Sequence, residues 1–279
     1  MNVRKVNYKQ KDAPYEFTRS LKQTGFSILT NHPIKKDLID NVYVEWKQFF
    51  NSSLKDKYLF DPIKQDGYFP FLTENAKGYS LKDLKEFYHI YPWGRYPTEI
   101  SDATKVLYSQ LLELTSTLLG WIQEETPKEI KSNFSVPLNE MIVDSKTNLL
   151  RVIHYPPLDG KEKDGAIRGA AHEDINLITV LVAGTQPGLQ VKDINDSWHD
   201  VSCDPGCLAI NTGDMLQEVS AGYFPSTTHQ IINPRDNKEN VSRFSMPLFL
   251  HPRDSIKLSE KYTAREYLDE RLTEIGLKG

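Results

Sequence analysis

Apolar residues recur along the first half of the chain at spacings of three and four. Leu38, Val42, Trp46, Phe49 and Phe50 form one such stripe, and Val106, Leu107, Leu111, Leu114, Leu118 and Trp121 form a longer one. That period places the apolar side chains on one face of a helix, so residues 1–147 are expected to be mostly helical. Between the stripes, from about Asp61 to Pro97, Gly67, Pro70, Gly78, Pro92 and Gly94 break the pattern. The same segment is rich in aromatics, including Tyr68, Phe69, Phe87, Tyr88 and Tyr91. It reads as an irregular segment, either a loop packed on the core or a lid and pocket wall.

From Asn148 the pattern shortens. Apolar runs of three to eight residues predict strands at Leu149–Tyr155, Leu177–Val182, Leu189–Val191, Trp198–Val201, Leu208–Asn211, Met215–Val219, His229–Ile232 and Arg243–Leu250. Turn residues separate them, among them Gly184, Pro187-Gly188, Pro205-Gly206 and Gly213-Asp214. Many short strands with evenly spaced turns point to a sandwich or jelly roll. A last helix is expected near residues 263–275, because Thr263 and Glu266 have the spacing of a capping box and Gly276 stands where a glycine stops a helix. The expected fold class is mainly β with flanking helices. A single domain over 1–279 would have a helical part at 1–147, a β core at 148–254 and a C-terminal helix at 255–279.

Composition narrows the partners. With 34 basic and 38 acidic residues the net charge is −4, which excludes the basic excess of a general nucleic-acid binder. No apolar run approaches the roughly 20 residues needed to cross a bilayer. Met1 to Asp12 is polar, with no apolar stretch after it, so no signal peptide is expected. Cys203 and Cys207 lack the second pair of a structural zinc site and read as reduced thiols. A cytoplasmic protein acting on a small molecule, without nucleic-acid or membrane partners, is the expectation.

The chemistry lies in Ala171-His172-Glu173-Asp174. If this stretch is a strand, His172 and Asp174 project to one face and Glu173 to the other. Alone the pair is weak, since seven histidines and 38 acidic residues in 279 give about one such spacing by chance. His229, at the start of a later predicted strand, strengthens it. Two histidines and a carboxylate make the facial triad of non-haem Fe(II) oxygenases, which leaves coordination positions open. Arg243 and Ser245 follow on another strand and face the same way, offering a guanidinium fork and a hydroxyl to a carboxylate. Asp214 reads as a turn residue. His32, His89, His199 and His251 have no ligand spacing, and His154 points away from Tyr155. Arg168 is either a surface residue or one that steers an anionic substrate. Phe249, Tyr223, Phe224, Tyr68 and Tyr91 are candidates to line a pocket.

Taken in order, these residues resemble the isopenicillin N synthase-like branch of the 2-oxoglutarate/Fe(II)-dependent dioxygenases. The resemblance begins at Gly25-Phe26-Ser27-Ile28-Leu29-Thr30-Asn31-His32 and continues through Asp83-Leu84-Lys85-Glu86. It is strongest over Arg151-Val152-Ile153-His154-Tyr155-Pro156-Pro157, His172-Glu173-Asp174, Leu177–Leu181, Pro187–Val191, Asn211–Asp214, Ser226–His229 and Arg243–Pro247. It extends to Tyr262–Leu268. It implies a double-stranded β-helix, or jelly roll, with Fe(II) held by His172, Asp174 and His229. It further implies that Arg243, Ser245 and Tyr155 hold the distal carboxylate of 2-oxoglutarate, with dioxygen as the second co-substrate. The expected reaction is hydroxylation, desaturation or cyclisation of a small organic molecule. Ile153 stands where many members of the family have asparagine, and the His-Glu-Asp spelling is similar to isopenicillin N synthase, which does not use 2-oxoglutarate. An oxidase independent of 2-oxoglutarate, or a zinc-loaded or non-catalytic binding protein on the same fold, are the alternatives.

Overall fold

The computed structural model describes residues 1–76 and 78–274. Its strands are β1 (Lys5–Asn7), β2 (Phe26–Thr30), β3 (Gly67–Phe69), β4 (Glu86–Ile90), β5 (Leu149–Tyr155), β6 (Gly169–His172), β7 (Ile178–Val182), β8 (Leu189–Lys192), β9 (Trp198–Asp200), β10 (Leu208–Thr212), β11 (His229–Ile231) and β12 (Arg243–Leu250). One sheet has the order β1-β2-β10-β7-β12-β5-β4-β3, and a second has the order β6-β11-β8-β9. The helices are α1 (Ala13–Thr24), α2 (Lys36–Phe50), α3 (Ala103–Glu125), the single turns α4 (Lys128–Lys131) and α5 (Leu138–Met141), α6 (Asp214–Val219) and α7 (Ala264–Glu274). Among the described residues no helix is long and apolar enough to cross a membrane.

The strands of the large sheet carry apolar residues on both faces because both faces are covered. Leu150, Val152, Val180, Ile210 and Leu248 pack toward Val42, Trp46, Leu111 and Leu118 of α2 and α3. The alternate residues, with Phe26, Ile28, Phe87, Ile153 and Tyr155 among them, pack against Leu189, Val191 and Ile231 of the small sheet. The two sheets therefore share an interior that is separate from the helical layer. Trp46 lies fully buried in that layer and donates from Nε1 to Thr104 Oγ1 of α3 at 3.0 Å.

Several expectations are corrected. Residues 1–147 hold four strands besides the helices, all in the large sheet. The segment from Asp61 to Pro97 contains β3 and β4, whose five-residue run Glu86–Ile90 is buried throughout. Its periodicity is hidden because polar residues sit on both faces of β4. Met215–Val219 is helical within α6, since Met215, Leu216 and Val219 bury one face at helical spacing. The capping box before α7 forms, with Thr263 N–H donating to Glu266 Oε2 at 2.8 Å and Glu266 N–H to Thr263 Oγ1 at 3.3 Å. Gly276, its expected stop, lies outside the described residues.

The start of β4 carries charge to both sides. Glu86 faces the helices, where it accepts from Lys55 Nζ at 2.9 Å and bonds the His154 ring at 2.7 Å. Lys85 lies on the opposite side and pairs with Glu74 at 2.7 Å and Asp83 at 2.8 Å. Arg151 of β5 donates both Nη groups to Glu74, at 3.0 and 3.2 Å, and its Nε to His89 at 2.8 Å. This network ties the segment around Glu74 to the sheet. Burial alone would raise the Glu74 carboxyl, but Arg151 and Lys85 hold it well below the usual carboxylate range.

A depressed carboxylate stabilises the fold fully above its ordinary value of 4.5, and the effect is lost as pH falls below that. Glu74→Gln is therefore expected to cost about 2 kcal/mol at pH 7. Urea unfolding at pH 7 and pH 4 checks this: the gap to the parent narrows at the lower pH if the carboxylate is held ionically, and stays constant if it is not.

Candidate metal centre

Antiparallel pairing of β6 with β11 sets His172 directly opposite His229. Their ring centroids are 4.4 Å apart. Asp174 Oδ1 lies 3.7 Å from His172 Nε2 and 3.9 Å from His229 Nε2. These separations are too long for hydrogen bonds and suit donors grouped around a shared ion. One potential ligand atom from each of the three residues lies within 4.8 Å of the others, and no other such group occurs among the described residues.

The convergence of His172 and Asp174 does not come from strand alternation, as the sequence suggests. β6 ends at His172, and Asp174 lies two residues past it, just before the bend at residues 175–177. The bend is fixed because Asp174 C=O accepts the Asp214 N–H at 2.7 Å, which draws the chain toward the end of β10. Glu173 points out to solvent and accepts from the Thr228 hydroxyl. Gly213 is required beside this turn, since a Cβ there would stand 2.2 Å from the Asn176 carbonyl oxygen.

The surroundings aim each donor. The Nδ1 of His172 faces Ala170 C=O at 2.7 Å, and that of His229 faces Thr227 C=O at 3.1 Å. Nδ1 therefore carries the proton in both rings, and Nε2 is left as the acceptor facing Asp174. Asp174 Oδ2 accepts from Thr179 Oγ1 at 2.5 Å and Asn211 Nδ2 at 2.8 Å, which leaves Oδ1 for the site. Burial opposes the Asp174 charge, yet His229, His172 and these two donors hold its carboxyl below the usual value. Burial and the neighbouring His229 lower His172. Both residues are in the deprotonated form that metal binding needs. Phe26 packs edge-on against His229 at 5.5 Å.

Arg243 opens β12 opposite Tyr155 of β5, and Ser245 pairs with Ile153. All four are buried, on the side where Tyr155 and Ile153 join the core between the sheets. The guanidinium lies 5.0 Å from the Tyr155 ring centre. Arg243 Nε donates to the carbonyls of Gln186 and Pro187 at 3.1 and 3.2 Å, while its Nη1 is buried with no partner. A side chain at Gly184 would collide with it, its Cβ standing 2.8 Å from Nη2. A buried, unpartnered guanidinium nitrogen beside a hydroxyl and a phenol is the cradle a carboxylate would fill. Ile153 presents an apolar surface beside this cradle.

The remaining candidates separate. Asp214 is the first residue of α6, with its carboxyl raised by burial, and takes no part in the cluster. Arg168 is buried, so it is not a surface residue, and its side chain donates to backbone carbonyls. Phe224 and Tyr68 pack into the helical layer and Tyr223 rests against it, so none lines the interior between the sheets. Phe249 does face Arg151, at 5.5 Å from its guanidinium. Tyr91 stacks on Trp93 at the edge of β4. His154 is structural, held by Glu86. Cys203 and Cys207 are free thiols. Sequence reasoning missed the roles of Thr179 and Asn211. Their signal was a polar residue inside an otherwise apolar strand.

A two-histidine, one-carboxylate centre between two β-sheets defines a class of metal-dependent oxidoreductases, and the comparisons agree. Residues 146–252 match the model of the 2OG-Fe(II) oxygenase superfamily, and 9–108 match the N-terminal domain of non-haem dioxygenases in morphine synthesis. A putative oxygenase from Shewanella oneidensis is 51% identical, with 99% of each chain covered and a TM-score of 0.90. A putative 2OG-Fe(II) oxygenase family protein from Caulobacter crescentus is 30% identical, with 98% and 99% covered and a TM-score of 0.82. Flavonol synthase 1 of Crocosmia x crocosmiiflora is 29% identical over 83% of this chain and 70% of its own. Two further plant relatives are matched over 63% and 66% of their length. The chain belongs to the 2OG-Fe(II) oxygenase family, and is a non-haem iron oxidoreductase with Fe(II) and 2-oxoglutarate as its cofactors.

Asn211→Ala removes one of the two donors that orient Asp174. It is expected to weaken Mn(II) binding about 10- to 100-fold with the fold intact. Titration with Mn(II), followed by its paramagnetic resonance signal, checks this; an unchanged affinity would show that the hydrogen bond does not orient the ligand.

Proposed function

We propose that this protein oxidises a C–H bond of a small organic molecule, with His172, Asp174 and His229 holding Fe(II) and with Arg243, Ser245 and Tyr155 holding the distal carboxylate of 2-oxoglutarate. The observation that carries this reading is the pairing of a convergent donor set with a buried guanidinium that has no carboxylate partner. We read the two sheets as a double-stranded β-helix forming one catalytic unit, with the metal at the mouth of the space between them.

Fe(II) bound there would supply a redox centre with open positions, at which oxidative decarboxylation of 2-oxoglutarate by dioxygen, to succinate and carbon dioxide, drives the two-electron oxidation of the substrate. The chain contributes binding and orientation. Arg243 receives the distal carboxylate in a fork, and Ser245 and Tyr155 are placed to add hydrogen bonds. Ile153, Leu189 and Ile231 surround this region with apolar surface and keep water from the co-substrate. The Lys85 ammonium is close enough to disfavour protonation of His172. With Arg151, Phe87 and Phe249 it forms the wall on which a substrate would rest, and its charges are already matched by Glu74 and Asp83. Positioning against this wall would decide whether hydroxylation, desaturation or cyclisation follows.

Anaerobic titration of the Fe(II)-loaded protein with 2-oxoglutarate tests the reading. A weak visible absorption band that grows and saturates is expected, together with succinate formation once oxygen and a substrate are supplied. If iron is present and no band develops, Arg243 serves a carboxylate on the substrate, as in an oxidase that needs no 2-oxoglutarate.

A further inference from the structure

Arg168, just before β6, is as enclosed as Arg243: each is 2% exposed. Buried arginines ordinarily pair with carboxylates. Among the described residues neither has an acidic oxygen within ion-pair distance, although most other arginines of the chain do. The partners of Arg168 are backbone carbonyls. Its Nη2 donates to Val241 C=O at 2.8 Å and to Pro156 C=O at 3.4 Å, and its Nε is buried without a partner.

Those two carbonyls have a particular place in the fold. Pro156 follows Tyr155 and Val241 lies two residues before Arg243, while Tyr155 and Arg243 are paired across β5 and β12. Arg168 thus bridges the chain just beyond both members of the carboxylate receptor. Its own backbone is anchored on the small sheet's side, where its N–H donates to Asn233 Oδ1 at 3.0 Å. Two uncompensated guanidiniums of like charge repel one another, and burial and Arg243 together lower Arg168 below the usual arginine value. An arrangement that concentrates unbalanced positive charge in an enclosed place favours an anion entering it.

We propose that Arg168 is a positioning residue for the co-substrate: it clamps the strand ends that carry Tyr155 and Arg243, and adds a second buried positive charge that selects a dianionic 2-oxo acid over a monoanionic one. This rests on the reading of Arg243 given above. Arg168 does not touch the reacting atoms. It acts through the receptor pair and through the field in the pocket.

The test is equilibrium binding to the Mn(II)-loaded protein, measured by calorimetry, with 2-oxoglutarate and with 2-oxobutyrate, which has the same chelating head but no distal carboxylate. Arg168→Met is expected to weaken 2-oxoglutarate binding about tenfold and to leave 2-oxobutyrate nearly unchanged. Arg168→Lys keeps the charge and should recover most of the preference. If the methionine variant does not fold, Arg168→Gln, which can still donate to a carbonyl, gives the answer. Equal weakening of both acids in the folded variant, or no weakening of either, overturns the proposal. Arg243→Met in the same titration separates it from its premise. If the preference survives that change, the receptor reading falls and this inference with it. If Arg243→Met abolishes the preference and Arg168→Met does not, only the role of Arg168 is lost.

Discussion

The metal centre depends on one register, that of β6 against β11. It places His172 and His229 as direct cross-strand neighbours. A slip of one residue would turn one imidazole to the opposite face of the small sheet and leave no donor pair. The register has support outside the strands themselves. Asp174 is pulled across to Asp214, and its spare oxygen is tied to Thr179 and Asn211 of the large sheet. The third member of the donor set is therefore held by the sheet that the histidines do not belong to. The distance between the sheets and the geometry of the donor set are thereby linked.

A second register, β5 against β12, does the same for Arg243 and Tyr155. Under the assignment proposed here, a 2-oxo acid would reach from the edge of the small sheet to the inner face of the large one. The two halves of its recognition would then sit on separate layers, each rigid because both its faces or its ends are packed. Such a division suits a co-substrate that must be held in one orientation while the bound organic molecule varies. Arg151 and Phe249 lie further along the same two strands, and Arg151 with Lys85 ties them to the less regular segment around Glu74.

Much of this could be read from the residues. The stripes of α2 and α3 and most of the β strands from Leu149 onward appear in the sequence because each has an apolar run and a turn residue at its ends; β6, Gly-Ala-Ala-His, is too short and too small-sided to show one. His172, Asp174 and His229 could be read as a possible donor set from residue type and order, and Arg243 and Ser245 as neighbours on one face from their spacing along a strand. Three further features could not. β4 is buried on both faces yet carries Glu86 and His89 and follows directly on Lys85, so its polarity mimicked a loop. Met215–Val219 is too short for a three- or four-residue period to separate from a strand. Asp174 reaches the site through a bend made by a residue forty positions later in the chain, and nothing local announces that. Arg168 resembled any loop arginine, because its burial comes from segments distant in sequence.

The placement of β2 bears on how the chain is made. β2 lies between β1 and β10, and its residue Ile28 pairs with Ala209. A chain leaving the ribosome presents β2 early, but its principal partner emerges only about 180 residues later. Until then an apolar strand of five residues waits with an unpaired edge, and α1 can cover only one of its faces. The early half is thus a dependent of the late half, and the interval between them is when a nascent chain of this design is most open to wrong partners and most in need of protection.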